Sequence, residues 1–342
     1  MKPASARERL GWREIEDIRH ERGRSTLLFI TDRCPVGCAH CSVDSRRDSP
    51  TITDFELFGE IVEWLVAQDH EVVGISGGEP FVERRGLSLA ARRIGEAGKR
   101  LVVYTSGVWA KRADPPAWIA DVLARCSTVY LSTDAFHAQG VGDGHYVHAA
   151  CAIQRSGAWL VVQVVDADDM VDRARDLLLA AFGERWEDHA ELVPTAPLTA
   201  GRGADVFMRT KHRPGRDYGA CTLVASPIIR YDGVVTACCN ENVIMGSGPS
   251  ALRRRAANSA ELDAAVTDFH ADPMLRAIGG VGPGTLTSHP RFADLADEPF
   301  TSICDLCWKL LRRTADDVEP DPLVKAISTV LVAPEPAAGV AR

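Results

Sequence analysis

Six short apolar runs, rich in β-branched residues, recur at nearly even intervals through the first two hundred residues: 25–31 (STLLFIT), 71–76 (EVVGIS), 101–106 (LVVYTS), 128–134 (TVYLSTD), 160–166 (LVVQVVD) and 191–194. Each is almost continuously apolar, as strands buried on both faces must be. Helix-like segments lie between them. The clearest starts at Thr53, has Glu56 at capping-box spacing, and carries Phe55, Phe58, Ile61, Val62 and Leu65 on one stripe. Strand and helix in alternation predict an α/β fold with a parallel sheet. After Pro197 the texture turns rich in Gly, Arg and Pro, which predicts a boundary near 200–217 and a smaller second domain. A Pro- and Ala-rich tail follows from 319 to 342, with one short apolar run that can carry a brief helix.

Composition narrows the function classes. With 46% apolar and 25% charged residues over 342 positions, the chain is neither disordered nor fibrous. A formal charge of -8 argues against nucleic acid and anionic membranes as partners. No run approaches the roughly 18 apolar residues of a membrane span, and the charged segment 1–24 is an N-terminal extension without a signal-peptide core. A cytoplasmic location is expected. Ten cysteines in such a chain suggest metal binding rather than a disulfide framework.

Cys34, Cys38 and Cys41 form Cys-x3-Cys-x2-Cys directly after the first strand. Three thiolates on one short loop suit three irons of a [4Fe-4S] cube and leave the fourth iron open. Zinc sites more often show paired knuckles with four ligands. After the second strand stand Gly77, Gly78, Glu79 and Pro80; two glycines at a strand's C-terminal end let backbone approach a ligand, and the proline sets where Glu79 points. Ser132, Thr133 and Asp134 end the fourth run, with Ser106 and Gln163 at similar positions on the third and fifth. Asp134 is a ligand contact or a cap for the next turn. Phe136 and His137 lie just beyond it, and His137 is a candidate catalytic proton carrier.

The cysteine loop after strand one and the GGEP segment after strand two together resemble the radical S-adenosylmethionine (radical SAM) enzymes over roughly residues 25–200. The resemblance implies a partial (β/α)6 barrel. It also implies a SAM-binding [4Fe-4S] cluster on Cys34, Cys38 and Cys41, and S-adenosylmethionine held by Gly77, Gly78, Glu79, Pro80, Ser106, Ser132, Asp134 and Gln163. His40 occupies the position where the family usually has an aromatic residue near the adenine. The implied chemistry is reductive cleavage of SAM to a 5′-deoxyadenosyl radical, fed by an electron donor such as flavodoxin or ferredoxin.

In the second domain, 218–315, a strand pair turned at Asp232-Gly233 brings Cys221 near Cys238 or Cys239, and Cys304 and Cys307 form a Cys-x2-Cys knuckle. Four thiols also suit zinc. The arrangement resembles the SPASM and twitch extensions of radical SAM enzymes, and with no cysteine past Cys307 it is nearer the twitch type, which implies one auxiliary [4Fe-4S] cluster. The glycine-to-cysteine spacing favours Cys238 as ligand, although counting alone leaves both open. The other thiol, Cys239 on that reading, is structural, a hydrogen-atom donor or a substrate contact. Cys126 and Cys151 read as buried small apolar side chains.

The resemblance points to natural-product biosynthesis. A residue of a ribosomally made peptide is the leading substrate. The 33 residues before Cys34 are too few for a fused leader-binding domain, so a separate leader-peptide-binding protein is expected. A sugar, aminocyclitol or nucleoside is the alternative substrate. A non-catalytic iron-sulfur electron carrier or redox sensor is the alternative of another class, and it leaves GGEP and the polar strand ends without a purpose.

Overall fold

The computed structural model describes residues 8–208 and 212–330. Strands β1 (Ser25–Phe29), β2 (Val72–Ser76), β3 (Arg100–Thr105), β4 (Cys126–Ser132), β5 (Trp159–Val165) and β6 (Ala190–Thr195) pair in parallel, in sequence order. Helix α1 (Trp12–His20) precedes them, and α2 (Phe55–Ala67), α3 (Arg84–Glu96), α4 (Ala117–Leu123), α5 (Asp143–Ser156) and α6 (Asp168–Phe182) lie between them. Alternate strand residues serve two cores. Leu28, Val73, Ile75, Val103, Val129 and Val162 pack outward against α2–α6, whereas Val72, Val102, Tyr130, Val161 and Val193 point to the concave face. This double burial is why the strands read as unbroken apolar runs.

Two local expectations are corrected. Helix α2 is capped by Asp54 rather than Thr53, its carboxylate accepting from the Glu56 and Leu57 amides at 3.0 Å. β1 stops at Phe29 and β4 at Ser132, so Thr133 and Asp134 lie in a loop: the Asp134 carboxylate takes the next two free amides and turns the chain. From residue 8 onward the N-terminal extension packs on the barrel, with Leu10, Ile15 and Ile18 filling the concave face.

Beyond β6 the chain forms the short helix α7 (Gly203–Val206), then β7 (Ile228–Arg230), β8 (Val234–Thr236) and β9 (Arg253–Arg255). β7 and β8 make the hairpin expected around Asp232-Gly233, with Gly233 at φ +81°. β7 also pairs in parallel with β1, so one nine-stranded sheet runs through both halves of the chain. In the tail a helix, Pro322–Val330, buries Val324; residues 331–342 lie outside the described ones.

Candidate active site

The cysteine loop leaves β1 and is held by backbone: Cys34 donates to the Arg46 carbonyl at 2.9 Å and Cys41 to that of Cys38 at 3.3 Å. The GGEP segment presses against it. A Cβ on Gly77 would fall 2.6 Å from the Thr31 carbonyl oxygen and one on Gly78 2.3 Å from that of Arg33, so only glycine permits this approach. Gly78 and Glu79 then donate to those same two carbonyls, at 2.6 and 2.9 Å.

From the other side comes Arg202, which motif reading missed. Its guanidinium donates to the Cys38 carbonyl at 2.7 and 3.0 Å, to the Ser45 carbonyl at 3.1 Å and to Asp44 at 2.6 Å, while its backbone amide reaches the Cys41 carbonyl at 3.0 Å. The one signal in the chain is its place between Gly201 and Gly203. Arg202→Ala removes this clamp and leaves carbonyls of the loop unserved. The expected loss is about ten- to a hundredfold in metal retention, as for other residues that orient ligands, read as iron lost to a competing chelator. Retention equal to the parent protein would show the loop to be self-supporting.

The three cysteines open onto a cavity of about 360 Å³ at the C-terminal ends of the strands. Gly77, Gly78, Ser106, Ser132, Asp134, His137, Gln163 and His40 line it with them. Ser132 and Gln163 are register partners across β4 and β5. Glu79 and Pro80, expected as cofactor contacts, stand behind this wall. The Glu79 carboxylate is fully buried and accepts from Thr105 Oγ1 (2.8 Å), Ser106 N (2.8 Å), Ser106 Oγ (2.5 Å) and Phe81 N (3.1 Å). Burial pushes its proton affinity up and these four donors oppose that, so Glu79 ties the loop after β2 to the end of β3. Pro80 begins the turn that follows.

Asp134 is similarly engaged. Oδ1 accepts from Phe136 N (2.8 Å) and His137 N (2.9 Å), and Oδ2 lies 3.2 Å from His40 Nε2 and 3.0 Å from His137 Nδ1. The two amides are hydrogen bonds, whereas the two imidazoles stand at ion-pair distance from Oδ2. Burial raises the Asp134 proton affinity, but the two imidazoles overcome it and hold the group well below the usual carboxylate range. Burial likewise pulls His137 down, yet Asp134 and the Cys38 sulfur raise it to about 10. His137 is thus placed beside a cysteine of the loop. His40 stacks on Phe136 at 4.6 Å between ring centroids.

The donor set fits a three-thiolate iron site: three sulfurs on one loop, facing a cavity, with no fourth protein sulfur joining them on its wall. Burial pushes the Cys34 thiol up to about 12, so iron binding rather than solvent must draw off its proton.

A second thiol set forms in the other half. Cys304 and Cys307 occupy successive turns at the start of the helix Ile303–Arg313, Cys238 follows β8, and Cys221 precedes a short 3-10 turn. Burial raises all four, Cys304 to about 11, and neighbouring thiols of the set push Cys238, Cys304 and Cys307 up further. Cys221, Cys238 and Cys307 share one apolar cluster. Cys239 packs in another, with Phe29, Ile228 and Ile244. Cys239 also feels the charges of Cys221 and Cys304, so both adjacent cysteines lie near the thiol set. Cys126 and Cys151 donate to the Val122 and Ala181 carbonyls, in keeping with structural roles.

Cys239 lines a second cavity of about 250 Å³, which shares Ser42, Val43, Ser76, Gly77, Tyr104 and Glu241 with the first and runs along the concave face to α1.

Residues 28–167 match the model of the radical SAM superfamily. No curated protein matches the chain. Among solved structures, Streptococcus suis SuiB bound to S-adenosylmethionine is 12% identical, with 75% of this chain and 68% of that one covered at a TM-score of 0.50. SuiB without a stated ligand is 13% identical, with the same coverage and TM-score. SuiB bound to the precursor peptide SuiA is 12% identical, covering 78% of this chain and 69% of that one at 0.49. At such identities the likeness is one of fold. Among the described residues, no helix is long and apolar enough to cross a membrane.

Proposed function

From the radical SAM domain carried by residues 28–167, we propose that this protein reductively cleaves S-adenosylmethionine and uses the resulting radical to take hydrogen from a natural-product precursor. The observation that carries the reading is the shared cavity, in which the three-cysteine loop meets Gly77, Gly78, Ser132 and Gln163. A reduced [4Fe-4S] cluster, when bound, supplies the electron that splits SAM into methionine and a 5′-deoxyadenosyl radical. Cys34, Cys38 and Cys41 would hold that cluster. Gly77 and Gly78 keep the wall thin, Ser132 and Gln163 offer polar atoms to the ribose, and His40, backed by Phe136, offers a flat face to the adenine.

Two backbone amides already engage Asp134 Oδ1, so we assign the ribose contact first to Ser132 and keep Asp134 as the second candidate on the same wall. Ser132→Ala is expected to weaken SAM binding about two- to tenfold, the worth of one hydrogen bond. Asp134→Ala should instead cost about 1–2 kcal/mol of stability through its lost cap. Equilibrium dialysis with SAM checks the first and urea unfolding the second. A hundredfold weaker SAM affinity in Asp134→Ala at intact iron content would return the ribose contact to Asp134.

Cys221, Cys238, Cys304 and Cys307 would hold an auxiliary [4Fe-4S] cluster. Cys239, outside that set and on the second cavity, is placed to give a hydrogen atom to substrate. The leading substrate is a residue of a ribosomally made peptide, with electrons from a flavodoxin or ferredoxin. The enclosed second cavity also favours a compact sugar, aminocyclitol or nucleoside as the second reading. The deciding experiment is anaerobic reconstitution followed by SAM and dithionite. About eight irons per chain, from two four-iron clusters, and release of 5′-deoxyadenosine are expected. One zinc with about four irons would overturn the auxiliary cluster, and no 5′-deoxyadenosine would overturn the enzyme.

A further inference from the structure

The second cavity is bordered by a carboxylate, Glu241, that forms no ion pair with a described residue. Helix α1 closes its far end with Ile15 and Arg19. The Arg19 guanidinium is bonded to Glu16 at 2.5 Å and lies 3.8 Å from the Cys239 sulfur, so its charge is largely met within the protein. Glu241 stands at the junction of the two cavities, partly buried. Burial pushes its carboxyl up; its own backbone amide and the charge of Arg19, acting at longer range, pull only weakly the other way. A partly buried carboxylate that pairs with no cation of the described residues is open to a ligand that supplies one.

We propose that the second cavity is the substrate pocket and that Glu241 receives a primary ammonium group there, so the substrate presents a small, amine-bearing carbon frame beside the SAM site. At about 250 Å³ the cavity is at the small end of ligand pockets, and Ile15, Leu27, Phe29 and Ile228 give it apolar walls. It takes one side chain or one small ring rather than a length of polypeptide. The amine comes from a lysine side chain of a peptide or from a free aminated small molecule. This inference rests on the first cavity being the SAM site.

The test uses anaerobic, reconstituted holoenzyme with SAM and three probes of one ring size: cyclohexylamine, cyclohexanol and cyclohexanecarboxylate, followed by ligand-observed NMR. Cyclohexylamine is expected to bind at least about tenfold more tightly than the other two, the worth of one charge-assisted contact. Glu241→Gln should reduce that preference to about twofold or less, and Glu241→Asp should keep part of it, with iron content confirming that each variant is folded. Equal binding of the three probes, no binding of the amine, or a preference that survives in Glu241→Gln would each overturn the inference. A blocked lysine tripeptide that binds with the same Glu241 dependence identifies a peptide as the source of the amine; its exclusion while cyclohexylamine binds identifies a free small molecule. Failure of the parent holoenzyme to bind SAM would instead count against the proposed function.

Discussion

Replacing Cys34, Cys38 and Cys41 together by alanine will remove about four of about eight irons and abolish formation of 5′-deoxyadenosine from SAM and dithionite. The expectation follows from how the loop is built. Its three thiols face the cavity, and its backbone is held by Arg202 and by the strand ends independently of any metal. The variant should therefore fold and keep the second thiol set. Half the iron with no SAM cleavage is the predicted pair of results, measured by iron analysis and chromatography of the products. Continued 5′-deoxyadenosine formation would sink the assignment of the first site.

The second large effect concerns stability. Asp32 and Arg230 form a buried two-pronged pair, Nη1 to Oδ1 at 3.0 Å and Nη2 to Oδ2 at 2.9 Å, and Tyr231 Oη adds a hydrogen bond to Oδ2 at 2.9 Å. Asp32 stands two residues before Cys34, and Arg230 ends the strand that lies against β1. One contact thus fastens the cysteine loop to the half that carries the other thiol set. Asp32→Ala takes the two-pronged partner from the buried guanidinium and leaves it only the partly exposed Asp232 carboxylate, 3.2 Å from Nε, at an expected cost of about 3 kcal/mol, the low end for a broken buried pair. Pairing it with Arg230→Met should recover much of that loss, because the under-compensated buried charge is then gone. Urea unfolding of both variants checks this. A cost below about 1 kcal/mol for Asp32→Ala would mean that water reaches the pair.

What could be read from the chain alone was local. The six strands were legible because burial on both faces leaves an unbroken apolar run, whichever neighbour each strand later finds. The three-cysteine loop was legible because three ligands within eight residues meet wherever that loop is placed, and the Asp232-Gly233 turn because it is made by adjacent residues. Tertiary structure decided everything that depends on closure of the sheet. Arg202 reaches the Cys38 carbonyl from 164 residues away. Glu79 turns inward because Thr105 and Ser106, on the next strand, supply donors for it. Asp134 is filled by His40 from the cysteine loop as well as by its own turn. Cys238 and Cys239 are adjacent and chemically identical, and it is the fold that packs Cys239 with Phe29, Ile228 and Ile244. Spacing along a chain constrains groups that a few bonds connect, whereas the partner of a buried polar group is whatever the folded chain brings within hydrogen-bonding distance.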